Sequence, residues 1–213
     1  MENIVEEIIT FKLDYAAFNS AMTCVKKDPV RYYLGGVHIF IRDNKFIYEA
    51  TDGHILVQIE SKIKPTIKEL DIIVPIEVLY DLKLFIKDHK INRECKNNLD
   101  SPFNITVNGN GKYISIYSTS ATPNLITQRQ LILDAQFPQT SRVIPNLDKT
   151  TGVTQYRLNA KLFTQLAKAF DIYFSTNDKM LQLTFPSDSM SPALAKFENF
   201  TGVIMPVRLM SGT

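Results

Sequence analysis

The sequence predicts an α+β fold, antiparallel sheets with helices on one side, and three observations predict it. Runs rich in β-branched and aromatic residues are separated by turn formers such as Asp43-Asn44, Asp52-Gly53 and Asn108-Gly109-Asn110-Gly111. Between some of these runs, apolar residues recur every three or four positions, the period of an amphipathic helix. The order strand, helix, strand, strand, strand is then written three times along the 213 residues.

In the first copy, Ile8 to Leu13 alternates as a strand, and Asp14 stands where it can cap a helix. Tyr15, Phe18, Met22 and Val25 give a helix over Asp14 to Lys27 one apolar face, and Asp28-Pro29 ends it. Arg31 to Arg42, Lys45 to Ala50 and His54 to Glu60 read as strands, and Lys62 to Glu69, with Pro65, as a linker. The second copy opens with a strand over Leu70 to Val74. Pro75 suits the first helical position, where its missing N–H costs nothing. Val78, Leu79, Leu82, Phe85 and Ile86 make the stripe of a helix running to Lys90. After the polar excursion Ile91 to Pro102 come strands over Phe103 to Val107, Lys112 to Ser118 and Leu125 to Leu131. The third copy has a strand over Thr154 to Leu158, a cap at Asn159, and a stripe of Leu162, Phe163, Leu166, Ala167 and Phe170. Strands over Ile172 to Ser175, Met180 to Phe185 and Phe197 to Val207 follow, with Ser187 to Pro192 as a loop.

One such module cannot bury both faces of its sheet and helix alone. Two packed together make a domain, so the expected division is a two-module domain over residues 1–147 and a single module over 148–213.

Composition narrows the function. Hydrophobic residues make up 45 %, enough for an ordinary core. Lys+Arg is 24 against Asp+Glu 22, a formal net charge of +2, so bulk charge does not grip a duplex here. The acidic start Met1 to Glu7 lacks signal-peptide shape, and no apolar run is long enough to span a bilayer. Cys24 and Cys95 are far apart and read as reduced thiols, which points to the cytoplasm. His38, His54 and His89 have no partners at zinc-site spacing, and no phosphate loop or nucleophile motif is present. The expectation is a protein that is not an enzyme and holds no metal or cofactor.

The most informative stretch is Glu49-Ala50-Thr51-Asp52-Gly53-His54-Ile55-Leu56-Val57, a strand, a tight turn and a strand. Alone it is a hairpin. Together with three other blocks it resembles the bacterial sliding clamp, the β subunit of the replicative DNA polymerase. Val30-Arg31-Tyr32-Tyr33-Leu34-Gly35-Gly36 is similar to that family's Val-Arg-Tyr-Tyr-Leu-Asn-Gly, and Ala50 to Leu56 to its Ala-Thr-Asp-Gly-His-Arg-Leu. Phe137 to Pro145 is similar to its Phe-Pro-Asp-Tyr-Arg-Arg-Val-Leu-Pro, and Val203 to Leu209 to its Val-Val-Met-Pro-Met-Arg-Leu. The blocks stand in the family's order. Ile8 to Pro145 resembles the family's middle domain, and Thr154 to Leu209 the second half of its last domain. Ile55 replaces the family's Arg, and Met210 to Thr213 extend past its terminal Leu. A compact relative of this kind fits a phage or mobile element.

The resemblance implies a DNA clamp fold and two sites. The first is an apolar pocket for short peptides of a polymerase or clamp loader. Here it would use Leu34, Thr51, Gly53, His54, Leu56, Pro138, Val143, Val203, Ile204, Met205, Pro206 and Val207, with Arg142 and Arg208 on its rim. Ile55 would alter which peptides bind. Such residues suit an apolar anchor, and Met adapts its shape to several partners; read without the resemblance they are ordinary strand residues. The second site is a helix face toward double-stranded DNA, carrying Lys26, Lys27, Lys83, Lys87, Lys90, Lys161 and Lys168. Any one of these lysines alone reads as solvated charge. Weak, non-sequence-specific phosphate contact is what a sliding ring needs.

The expected function is a processivity factor that encircles duplex DNA in the cytoplasm of a bacterium or an infected bacterial host. The alternative is a non-encircling adaptor that binds the same peptides. Family rings resemble twelve modules around a hole, so a chain of three modules implies a homo-oligomer, a tetramer, closed by contacts between third modules left without an intrachain partner.

Overall fold

The computed structural model describes residues 8–28, 30–88, 102–108, 111–119, 124–132, 135–145, 156–174, 180–186, 188 and 190–207. Lys90, Cys95 and Arg208 lie outside these residues, as do most of the 91–102 excursion, the turn positions 109–110 and the start of the strand expected from residue 154.

The first module is β1 (Ile9–Lys12), α1 (Tyr15–Ala21), β2 (Gly36–Arg42), β3 (Lys45–Thr51) and β4 (Ile55–Glu60). The second is β5 (Asp71–Pro75), α2 (Glu77–Asp88), β6 (Phe103–Asn108), β7 (Tyr113–Ser118) and β8 (Leu125–Gln130). The third holds α3 (Ala160–Phe174), β9 (Gln182–Thr184), β10 (Ala193–Phe197) and β11 (Phe200–Ile204). The strands form a four-stranded sheet, β1-β6-β7-β8, and a seven-stranded sheet, β5-β2-β3-β4-β11-β10-β9, with every pairing antiparallel.

The first two modules exchange their leading strands. β1 leaves its own module to pair with β6, Ile9 opposite Val107 and Lys12 opposite Asn104. β5 crosses the other way to pair with β2, Gly36 opposite Pro75. A Cβ on Gly36 would collide with the Val74 carbonyl, so this approach needs glycine. Each helix packs on its own module's strands, α1 on β3 and β4 and α2 on β8, and one core joins them, with Phe18, Leu82, Phe103 and Ile105 at most 1 % exposed.

The third module departs most from expectation. It has an intrachain partner: β11 pairs with β4, Val203 opposite Leu56, and α3 packs against α1. The burial of Phe200 and Ile204 in the common core drives this junction. Tyr156 to Leu158 is not a strand. Ile172 to Phe174 continues α3 instead of starting a strand, because Tyr173 and Phe174 extend the buried stripe of Leu166, Ala169 and Phe170, and Phe174 meets Phe197 and Phe200. Burial outweighs the β-propensity of these residues. The expected strand over Phe197 to Val207 is the end of one hairpin, β10 turning at Glu198 (φ 47°) into β11.

Smaller differences follow local hydrogen bonding. α1 tightens into a 3₁₀ turn, Met22–Cys24, and stops well before Lys27. Arg31 to Gly35 is not strand. Asp28 Oδ1 accepts from the Val30 and Arg31 amides, and a 3₁₀ turn over Tyr32–Leu34 follows. Pro75 closes β5 rather than opening α2.

Candidate binding site

The junction of β4 and β11 is the floor of an apolar cavity of about 240 Å³. Leu56 and Val203 stand opposite each other across the two strands and form a small buried cluster with Leu194. The 51–55 turn shapes one rim. Asp52 Oδ1 accepts from the His54 and Ile55 amides at 2.8 and 3.1 Å. Thr51 Oγ1 accepts from the Gly53 amide and donates to the Ile55 carbonyl. Gly53 sits at φ 91°, a left-handed conformation that a side chain resists, and a Cβ there would press on the Arg31 guanidinium. The Met205 amide donates to the His54 carbonyl, which ties the end of β11 to the same turn.

Two further segments wall the cavity. Tyr33 and Leu34 come from the 3₁₀ turn before β2, and Leu34 packs with Ile73 and Phe137. Pro138, Gln139, Thr140 and Val143 come from the segment after β8, which ends in a 3₁₀ turn over Thr140–Arg142.

Nine of the residues singled out from the sequence line this cavity together: Leu34, Thr51, Gly53, His54, Leu56, Pro138, Val143, Val203 and Met205. Ile204 does not: alternation along β11 turns it into the core, fully buried. Pro206 and Val207 line a neighbouring groove with Met205, His54, Asp52 and Lys26. Arg142 is exposed on its turn and does not line the cavity. Sequence reasoning missed Arg31, Tyr33, Gln139 and Thr140 as lining residues, although each lies inside a quoted block, and it did not place Ile55 on the wall.

The lysines divide. Lys83, Lys161 and Lys168 converge on a groove of about 570 Å³ between the three helices, with Met22, Tyr80 and Ile172 along it. Desolvation first, and then the like charge of Lys168, hold Lys83 below the ordinary lysine range. An anion seated there would relieve that repulsion. Lys26 lines the groove beside Met205. Lys27 is engaged with Glu77 at 2.5 Å, which raises its pKa and offsets part of its charge. Lys87 is exposed on α2.

Among the described residues no group of His, Cys, Asp and Glu could hold a metal ion, and no helix is long and apolar enough to cross a membrane. Cys24 is fully buried, and burial pushes its thiol up to about 12, so it is not a reactive nucleophile.

Comparison with known proteins bears on the family and the fold. A family model described as the DNA polymerase III beta subunit, central domain, matches residues 12–139. A beta sliding clamp of Rickettsia bellii is 25 % identical over 195 residues, covering 89 % of this chain and 46 % of that protein. One of Rickettsia felis is 24 % identical over 186 residues, 85 % of this chain and 44 % of its own. The chain therefore spans less than half the length of these relatives. Among solved structures, the DNA polymerase III beta subunit of Thermotoga maritima superposes with a TM-score of 0.68 at 18 % identity, covering 95 % of this chain and 66 % of that one. The DNA polymerase sliding clamp of Bacillus subtilis gives 0.67 at 14 % identity, over 99 % and 66 %.

Proposed function

The chain belongs to the DNA polymerase III beta subunit (sliding clamp) family, and from that premise we propose that it is a processivity factor that captures short peptides of replication proteins in the β4–β11 cavity and rides on duplex DNA. Proteins of this family are non-enzymatic processivity factors. One observation carries the reading: four separated segments, around 31–34, 51–56, 138–143 and 203–205, converge on a single apolar cavity. A concave apolar site with a few polar groups suits the side-chain anchors of a peptide. The partners are the peptides of a replicative polymerase and a clamp loader. The DNA contact is the groove holding Lys83, Lys161 and Lys168, weak and non-sequence-specific.

The proposed assembly is a homo-oligomeric ring of four chains, divided as a two-module domain over residues 1–147 and a single module over 148–213. The third module supports this reading. Phe18 in α1 and Leu79 in α2 stand three residues before the buried Ala21 and Leu82, and are 1 % and 4 % exposed. Phe163 in α3 stands three residues before the buried Leu166, yet is 41 % exposed. The first two modules lend each other a leading strand. The third is joined to the first through β11 on β4 and α3 on α1, but among the described residues no leading strand is lent to it, and β9 ends the seven-stranded sheet. A second copy related by a two-fold axis would supply that strand.

The second reading is a non-encircling adaptor, favoured by one observation: the four segments that wall the cavity already meet on the β4–β11 junction within the fold of one copy. Fluorescence anisotropy with a labelled clamp-binding peptide of a bacterial replicative polymerase tests the pocket. Binding in the micromolar range, about −8 kcal/mol, is expected. Met205→Ala combined with Pro206→Ala weakens it about tenfold, and unchanged affinity in that variant removes the assignment. Retention on a nicked circular plasmid, lost on linearisation, separates the ring from the adaptor.

A further inference from the structure

His38, on β2, lies behind the wall formed by Pro138 to Thr140, away from the cavity itself. Its ring is stacked between Phe40, with centroids 4.6 Å apart, and Phe137, at 4.7 Å. Nδ1 is 2.9 Å from Glu49 Oε1 on β3, and Nε2 is 2.9 Å from Asp71 Oδ1 on β5. A neutral imidazole has one N–H and so could donate to only one of these carboxylates. The imidazolium donates to both. Glu49 is 2 % exposed, and its other oxygen accepts from Gln58 Nε2 and from Thr140 Oγ1, each at 2.7 Å. The wall is therefore held at two points: Phe137 lies on the imidazole, and Thr140 bonds to the carboxylate that the imidazole neutralises.

We propose that His38 is the positioning residue of the cavity wall: its imidazolium holds the Phe137–Thr140 segment through Glu49, and loss of its proton loosens the wall and weakens peptide capture. This inference rests on the peptide-pocket reading of the cavity.

The charged groups around the ring are Glu49 from β3, Asp71 from β5 and, on its own strand, Arg42. The Arg42 guanidinium lies 5.8 Å over the Phe40 ring and donates to Gln58 Oε1 at 3.3 Å. The wall segment contributes Phe137 and Thr140 and no charge at the ring. Burial pulls the His38 pKa down, but the hydrogen bonds to Glu49 and Asp71 outweigh it, and the net direction is up from the ordinary histidine value. A histidine raised on folding contributes fully below its unfolded pKa, and the contribution disappears as pH rises through the folded one. The wall is thus held on the acidic side and released on the alkaline side.

The test measures affinity of the full chain for a labelled clamp-binding peptide from pH 6 to pH 9, beside the NMR titration of the His38 ring and amide exchange across residues 137–143. Affinity is expected to fall about fivefold as His38 titrates, the lower end of typical coupling between sites. Asp71→Asn, at a side chain 83 % exposed, leaves the fold intact and moves both midpoints to lower pH together. Thr140→Val cuts the link to Glu49, flattening the affinity profile while His38 still titrates. Affinity that ignores the His38 titration, or a midpoint that Asp71→Asn leaves in place, overturns the proposal. If the peptide binds at no pH, the pocket reading fails, and amide exchange decides alone: protection of 139–143 must drop with the His38 titration, and unchanged protection rejects the inference.

Discussion

Lys83 and Lys168 show how much a single side chain can say about the molecule's partner. They sit on helices of consecutive modules, α2 and α3, and after desolvation the charge of Lys168 depresses the Lys83 pKa further. Two like charges that line one groove repel each other, and an anion seated between them relieves that repulsion. Changing both to Glu is therefore expected to abolish retention on circular DNA at low salt, where each lost phosphate contact lowers the salt slope by about one unit. Peptide affinity stays unchanged, because neither lysine touches the cavity. Normal DNA retention in that variant would mean the lysines are ordinary surface charge. The charges themselves were visible in the sequence; their convergence was not, since the order of residues along one helix says nothing about a neighbouring helix. The cavity divides the same way. Thr51, Gly53 and Leu56 were legible through the resemblance of their block to the family's, whereas Thr140 reaches Glu49 across 91 residues of chain, a contact no local pattern encodes. Ile204 misled because it lies between two lining residues, Val203 and Met205, and strand alternation turns it inward.

At the scale of elements, the cap of α1 and the 51–55 turn were readable. Asp14 caps α1 through its carboxylate, Oδ1 accepting from the Ala17 amide at 2.9 Å. It is also fully buried, and Oδ2 accepts from Ser61 Oγ at 2.6 Å. Burial is the largest influence on this carboxylate and raises its pKa, while the Ala17 and Ser61 hydrogen bonds oppose it. Asp14→Ala removes a helix cap, worth about 1 kcal/mol, and leaves the Ser61 hydroxyl buried without its acceptor, worth about 1–3 kcal/mol more. Urea unfolding is expected to show a loss of about 2–4 kcal/mol in total, with Asp14→Asn recovering about half of it, as a cap that keeps its acceptor oxygen. A change below 0.5 kcal/mol, the range of neutral surface substitutions, would show that the cap is unimportant. The elements that escaped the sequence are those set by tertiary packing. Residues 172–174 resemble a strand locally, but α3 carries them into the cluster of Phe170, Phe197 and Phe200.

At the scale of the whole molecule, the α+β class with antiparallel sheets was legible. The exchange of leading strands was not, because a strand's partner depends on which sheet its helix packs beneath. That exchange also changes what the third module requires. It is anchored by β11 on β4 and by α3 on α1, so one of its flanks is already satisfied. What remains is the far edge, β9, with Met180 83 % exposed beside it and Phe163 on the outer flank of α3. The first two modules solve the equivalent problem mutually, each contributing the strand the other's sheet lacks. Two third modules, facing each other across a two-fold axis, can do the same, and the other ends of the chains then remain to close the ring. Native mass spectrometry at micromolar concentration is expected to show a tetramer, with a dimer as its building block. Phe163→Glu places a charge on the shared flank without touching the cavity, so it should leave the chain folded and peptide-competent but dissociated. A wild-type chain that stays monomeric, with primed circular DNA and a loader present, would exclude the ring and leave the adaptor as the reading that the cavity supports.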